Sequence, residues 1–187
     1  MDAFVYLRVR PGTLEDVVVQ LENVGGVRAA VAVVGAWDVL AAVQGPDLLG
    51  ISEEVVRGIH LIEGVERTMT VPVVPRNVST LPGEEGTRTP IPMQEPGPAC
   101  FVHVKASPGA AARVADTIAG VEEVSAVAMI AGDHDLIVEI PFPWEQAAPV
   151  IVNRILPLDG VEDTRTLVAI RFAGPDEEDR DQFSAWS

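Results

Sequence analysis

The sequence predicts an α+β fold made of two tandem copies of the order strand, helix, strand, strand, helix, strand. Three observations support this prediction: the chain of 187 residues repeats itself, each copy has two apolar stripes at helical spacing, and each has four short runs rich in Val, Ile and Ala. Because 48% of its residues are apolar, the chain can bury a core in each of two small domains.

The internal repeat aligns residues 3–74 with residues 99–171. The first halves match without a gap: Pro11-Gly12 corresponds to Pro108-Gly109, and Gly-Ala-Trp-Asp at 35–38 corresponds to Gly-Asp-His-Asp at 132–135. One residue is lost after that point, so that 63–68 pairs with 159–164. A repeat that preserves order and spacing in this way indicates a duplicated domain.

Each copy contains two predicted amphipathic helices. Apolar residues recur at the spacing i, i+3, i+4 and i+7, which places their side chains on one face of a helix. The first pair of stripes is Leu14, Val17, Val18 and Leu21, matched by Ala111, Val114, Ala115 and Ile118. The second pair is Leu48, Ile51, Val55, Ile59 and Ile62, matched by Trp144, Ala147, Ala148, Ile151 and Ile155.

Four strands are predicted in each copy, and their order gives a ferredoxin-like antiparallel sheet with both helices on one face. In several strands the residues of both faces are apolar, so the face of the sheet without helices must also be covered. The sheet of the other copy, packed face to face, would cover it. The predicted strands are 4–9, 27–34, 39–43 and 65–73, followed by 101–105, 124–130, 136–140 and 161–170.

A Pro-rich linker over residues 75–98 is predicted between a first domain at 1–74 and a second at 99–172. At about 3.3 Å per extended residue the linker could reach roughly 80 Å, which permits the two copies to pair within one chain. Residues 173–187 form a predicted acidic, solvated tail.

The composition narrows the class of partner. A net charge of -15 predicts no direct contact with nucleic acid, because such binding depends on Lys and Arg neutralising phosphates. We find no signal-peptide pattern and no apolar run of membrane-spanning length, so we expect a cytoplasmic protein. Cys100 is the single cysteine, which excludes a disulfide within the chain and a multi-cysteine zinc site.

The helix pattern, the Gly-x-Trp/His-Asp turn and the closing Glu-Gly-Val-Glu-Arg-Thr resemble the ligand-binding (RAM) domain of the Lrp/AsnC family of regulators. The resemblance extends over both repeats. It implies a dimeric α/β barrel, formed here as a pseudo-dimer, that binds small effectors such as amino acids near the turn after strand two. The first predicted strand begins at about Ala3, so we expect no helix-turn-helix domain and no DNA binding by that route.

Carried onto this sequence, the family's turn supplies the candidate ligand-binding residues. A glycine exposes backbone amides and an aspartate accepts from an ammonium group, although both also shape tight connections between strands. Two cations at matching places on the first strands could hold a carboxylate or could lie solvated at an edge. The candidates are Gly35, Trp37, Asp38, Gly132, His134, Asp135, Arg8 and Lys105.

The remaining ionisable residues suggest no cofactor and no metal. Asp133, His134 and Asp135 are adjacent, so their side chains alternate in direction and would not converge on one ion. His60 and His103 are predicted to be ordinary partly buried residues.

The predicted function is a small-molecule-binding regulatory or assembly module rather than an enzyme, because no nucleophile, base and orienter can be assembled from motif spacing. Its partners would be a small effector such as an amino acid, a second copy in a homo-oligomer, or a regulatory protein. Two alternatives stay open. One is an enzyme of the dimeric α/β barrel class, monooxygenase-like or haem-dependent, which a pocket lined by His60 or His103 would favour. The other is a ligand-free structural partner protein.

Overall fold

The first repeat has the predicted order of elements in a computed structural model that describes residues 1–75, 92–93 and 97–170. Its second helix runs from α2 (Leu48–Gly50) through a π-helical stretch (Ile51–Val56) to α3 (Arg57–His60). The other elements are β1 (Asp2–Val9), α1 (Leu14–Leu21), β2 (Val27–Val34), β3 (Val39–Gln44) and β4 (Val65–Pro72).

The second repeat has the same order. Its second helix is α5 (Trp144–Val150), which continues as a π-helical stretch (Ile151–Ile155). Most of the predicted linker and all of the predicted tail lie outside the described residues. The remaining elements are β5 (Cys100–Ala106), α4 (Ala111–Ala119), β6 (Ala126–Met129), β7 (Leu136–Ile140) and β8 (Val161–Ile170).

The second helix of each repeat departs from the prediction in two ways. It widens into a π-helix, in which the N–H of Leu156 donates to the carbonyl of Ile151, five residues earlier, at 2.9 Å. Leu48 and Trp144, which begin the predicted stripes, are 47% and 46% exposed. Each is the first residue of its helix, and helical side chains tilt towards the N-terminus, so these two extend past the helix end.

All eight strands form one antiparallel sheet in the order β4-β1-β3-β2-β8-β5-β7-β6. The repeats join where β2 pairs with β8, in the register Val34 with Val168. They meet again where Val73 bridges Ile130, so that the end of β4 reaches the end of β6. The sheet therefore closes on itself, and the predicted barrel-type pseudo-dimer of ferredoxin-like repeats is confirmed.

Three apolar clusters stabilise the fold. Two lie between the helices and the four strands of each repeat, and the third lies inside the closed sheet, between the four-stranded sheets that the two repeats contribute to it. The third confirms that each helix-free face is covered by the other copy, and each fully buried Leu, Ile or Phe there contributes about 2 kcal/mol. Its largest members are Phe4, Tyr6, Leu40, Phe101, Ile137 and Leu167. Within the described ranges no helix combines the length and apolarity needed to span a membrane.

Candidate ligand-binding site

Asp38 fixes the turn between β2 and β3 to the end of β1. Its Oδ2 atom accepts a hydrogen bond from the backbone N–H of Val9 at 2.9 Å, and its Oδ1 atom accepts one from Arg8 at 3.1 Å. Its own backbone N–H donates to the carbonyl of Leu7 at 3.0 Å. Both carboxylate oxygens thus have partners within the chain, and these contacts shape the turn.

Asp135 repeats this arrangement in the turn between β6 and β7. Its Oδ2 atom accepts from the backbone N–H of Ala106 at 2.9 Å and lies 3.3 Å from the Nζ atom of Lys105. Its backbone N–H donates to the carbonyl of Val104 at 3.0 Å. Arg8 and Lys105, which could hold a carboxylate or lie solvated at an edge, are thus each paired with the turn aspartate of their own repeat.

Gly35 and Gly132 lie where the two repeats approach each other closely. A Cβ atom on Gly35 would come within 2.6 Å of the Cδ2 atom of Leu167, and the φ of 150° at Gly35 favours glycine. A Cβ atom on Gly132 would lie 3.2 Å from Val71. Leu167 on β8 and Val71 on β4 are equivalent residues, so each glycine makes room for the last strand of the opposite repeat.

Trp37 and His134 line a pocket between the two sheets, where two buried side chains meet. The ring of Trp37 lies 6.0 Å from that of Tyr6, and the ring of His134 lies 5.7 Å from that of His103. The hydroxyl of Tyr6 is 2.6 Å from the Nε2 atom of His103, a hydrogen bond that joins the two repeats. Tyr6 is 2% exposed and His103 is 7% exposed.

The cavity of the pocket has a volume of about 60 Å³ and opens to solvent. Small-molecule sites commonly have roughly 300–1,000 Å³, so a ligand larger than a few atoms would extend from this cavity towards solvent. Arg165 and Asp133 add charged groups to the lining, and the Nε atom of Arg165 lies 3.9 Å from the Oδ2 atom of Asp163. The other lining residues are Ala36, Met69, Val71, Ile130, Gly132 and Leu167.

The environment of the Tyr6–His103 pair keeps both groups uncharged near neutral pH. Burial, followed by the charge of His134, lowers the pKa of His103 to about 4, although a hydrogen bond to the backbone of Arg165 acts in the opposite direction. Burial raises the pKa of the Tyr6 phenol above its ordinary value. The imidazole is therefore neutral and the phenol keeps its proton.

Whether the Tyr6 hydroxyl or the Nε2 atom of His103 donates the hydrogen bond between them depends on the tautomer of the His103 ring. Burial and the charge of Arg165 also lower the pKa of His134, so a second imidazole in the pocket favours its neutral form.

Three of the eight candidate residues, Trp37, Gly132 and His134, line the pocket, and the other five surround the turns. The sequence pattern predicted His103 as an ordinary partly buried residue, and it did not point to Tyr6. The sequence did place both residues on the helix-free face, because Tyr6 follows Phe4 by two residues and His103 follows Phe101 by two, and alternate residues of a strand share a face. A polar group on that face must lie between the sheets of the two repeats.

Comparison with known proteins identifies the family. The model of the Lrp/AsnC ligand binding domain matches residues 2–82 and 99–177, which confirms the resemblance found in both repeats. Among curated proteins, none matches the sequence.

Solved structures match either one repeat or the whole tandem. TTHA0845 from Thermus thermophilus is 28% identical over 41% of this chain and 98% of that chain, with a TM-score of 0.39. E. coli AsnC is 16% identical over 42% of this chain and 54% of its own, with a TM-score of 0.38. The siroheme decarboxylase NirDL is 12% identical over 99% of this chain and 78% of its own, with a TM-score of 0.65.

The NirDL match corrects one prediction. We predicted a module that is not an enzyme, and this exclusion is wrong because NirDL, which shares the tandem fold over nearly the whole chain, is an enzyme. The absence of a short motif misled the prediction, since this fold draws its pocket residues from strands and turns of both repeats rather than from one segment.

Proposed function

The chain belongs to the family of Lrp/AsnC ligand-binding domains, and on that premise we propose that it binds a small carboxylate-bearing metabolite, such as an amino acid, between its repeats. The observation that carries the proposal is the pocket around the Tyr6–His103 hydrogen bond, which both turns line. Binding there would change how the repeats or further copies associate, which is how a regulatory module would act.

The polar groups of the pocket suit a carboxylate. A guanidinium presents several N–H donors in a planar fork that matches two carboxylate oxygens, and Arg165 brings this group to the pocket. The half-buried ring of Trp37, which lies against Tyr6, offers an apolar surface to the rest of the molecule. With a net charge of -15, the chain as a whole repels anions. The guanidinium of Arg165 is therefore the group that would select an anionic ligand.

A second candidate function is a decarboxylase, and the NirDL match together with the Tyr6–His103 pair favours it. Decarboxylation breaks the bond between a carbon and its carboxylate, releases CO₂, and leaves the electron pair on that carbon, which must then gain a proton. The phenol of Tyr6 can deliver that proton to the carbon, and the phenolate that remains takes a proton from water. Siroheme is the substrate of NirDL, so tetrapyrroles with carboxylate side chains are the first substrates to test.

The first experiment is a thermal-shift screen of the purified chain against the standard amino acids and carboxylated tetrapyrroles. A ligand at about a hundred times its dissociation constant adds about 2.7 kcal/mol, or roughly 5 to 10 °C for a chain of this size. Trp37→Ala should remove the shift. Trp144→Ala, which changes a half-exposed tryptophan outside the pocket, should keep it. A shift that both variants retain would refute binding in this pocket.

Mass spectrometry of the incubated ligand distinguishes the two functions. A binding module returns the compound unchanged, whereas a decarboxylase returns it with CO₂ lost. Tyr6→Phe should then preserve the thermal shift and slow CO₂ release by about a hundredfold or more, because it removes the proton donor and keeps the ring. Equal loss of CO₂ with Tyr6→Phe would exclude the phenol as that donor.

A further inference from the structure

The pocket lies on the axis that relates the two repeats. Tyr6 and His103 occupy equivalent positions in the two copies, and they contact each other directly at 2.6 Å. The Tyr6–Trp37 contact at 6.0 Å is likewise the counterpart of the His103–His134 contact at 5.7 Å. Equivalent residues of two repeats touch only near the symmetry axis that relates the repeats. Rotation about this axis therefore places the pocket on itself and does not generate a second pocket elsewhere.

Although the backbone is nearly symmetric, the two walls of the pocket differ in chemistry. The first wall is aromatic and apolar, and the second wall carries the ionisable groups. The first wall is formed by Tyr6, Trp37, Met69 and Val71, and the equivalent residues of the second wall are His103, His134, Arg165 and Leu167.

The charges of the second wall come from two substitutions between the copies, Arg165 for Met69 and Asp133 for Ala36. Arg165 occupies the position that Met69 has in the first repeat, and both line the pocket. Asp133 also lines the second wall, so this wall presents a carboxylate beside the guanidinium. An anionic group of a ligand must therefore meet Arg165 itself, since no uniform positive surface is available to it.

We infer that the pocket binds one amphipathic carboxylate per chain in a single orientation, with its planar apolar part on the first wall and its carboxylate at Arg165. This rests on the proposed function and deepens it by naming the ligand class and the binding direction. A planar ring stacks on Trp37, and the carboxylate meets the exposed guanidinium of Arg165. The reversed pose would place the carboxylate against Met69 and Val71, which offer it no hydrogen-bond donor from their side chains.

The test titrates the full chain with indole-3-acetate, its neutral amide indole-3-acetamide, and acetate, and follows tryptophan and histidine ring signals by NMR. We expect indole-3-acetate to bind with one molecule per chain and to show nuclear Overhauser contacts from its ring to Trp37. Arg165→Met should weaken indole-3-acetate about tenfold and leave the amide unchanged. Arg113→Met, which removes an equal charge from an exposed ion pair with Asp159, should change neither.

A reciprocal variant tests the orientation. Met69→Arg combined with Arg165→Met moves the cation to the first wall, so affinity for indole-3-acetate should recover and the ring contacts should move from Trp37 to the histidines. Equal binding of acid and amide, two molecules per chain, or ring contacts with both walls would overturn the inference while leaving a ligand pocket in place. No perturbation by any of the three probes would instead count against the proposed function itself.

Discussion

The two repeats agree in the residues that shape their backbones and differ in the residues that face the pocket. Asp38 and Asp135 each accept from the end of a first strand at 2.9 Å, and a glycine in each turn lies against the opposite repeat. Tyr6 and His103, by contrast, are equivalent residues with different chemistry. The identities retained between the copies therefore shape the turns, and the positions that diverged give the two walls of the pocket their different chemistry.

The largest expected difference between the walls is acid sensitivity. The folded-state pKa of His103, about 4, lies below its ordinary value of 6.5, so the unfolded chain takes up the proton first as the pH falls. Its contribution to stability is complete above pH 6.5 and is lost between pH 6.5 and 4, by roughly 3 kcal/mol. Urea unfolding at pH 7 and pH 4 measures this loss.

His103→Gln provides the comparison, since it keeps a polar side chain that does not titrate. Carboxylates also protonate in this range, so the informative quantity is the difference between the parent chain and the variant. His134 and Arg165 face His103, and Tyr6 in the first repeat does not titrate there. If the free energy of unfolding depended on pH identically in the parent chain and the variant, His103 would not be a source of acid sensitivity.

The next largest effect should be equal in the two repeats. Asp38→Ala and Asp135→Ala each leave a strand N–H and a cation without their acceptor, at a cost of about 2 kcal/mol in free energy of unfolding. Asp→Asn at the same positions keeps an acceptor oxygen and should cost about half as much. If instead either alanine variant left stability unchanged but abolished ligand binding, that aspartate would belong to the site rather than to the turn.

The smallest effect concerns the first repeat alone. Arg67 lies 5.7 Å from the centroid of the Trp37 ring, and the equivalent residue in the second repeat is Asp163, near His134. Arg67→Met should cost about 0.5 kcal/mol and shift tryptophan fluorescence, because an exposed cation–π contact is weak. Arg113→Met serves as the control for charge. Unchanged fluorescence would mean that the contact does not persist in solution.

Local patterns were sufficient to predict most of the fold. Strand runs and helical stripes depend on neighbouring residues, so the element order and the need to cover the helix-free face were both predictable. The junction of β2 with β8 was not, because its register depends on contacts such as that between Gly35 and Leu167, which are far apart in sequence. The π-helical widening of the second helices carries no pattern that we can identify.

The site was less predictable than the fold for a related reason. Trp37 and His134 belong to a motif within one turn, so the sequence pointed to them directly. Tyr6 and His103 acquire their roles only when two strands, separated by a linker, bring equivalent positions into contact at 2.6 Å. The alternation of residues along each strand predicts the face on which Tyr6 and His103 lie, but it does not predict that they contact each other.

The pairing of β2 with β8 also bears on how the chain folds as it is synthesised. More than a hundred residues separate the paired positions Val34 and Val168, a long-range contact of the kind associated with slow folding. Until β8 leaves the ribosome, the first sheet exposes the apolar face that contains Phe4 and Leu40. During that interval the nascent chain is most open to misassembly with its neighbours and most dependent on chaperones.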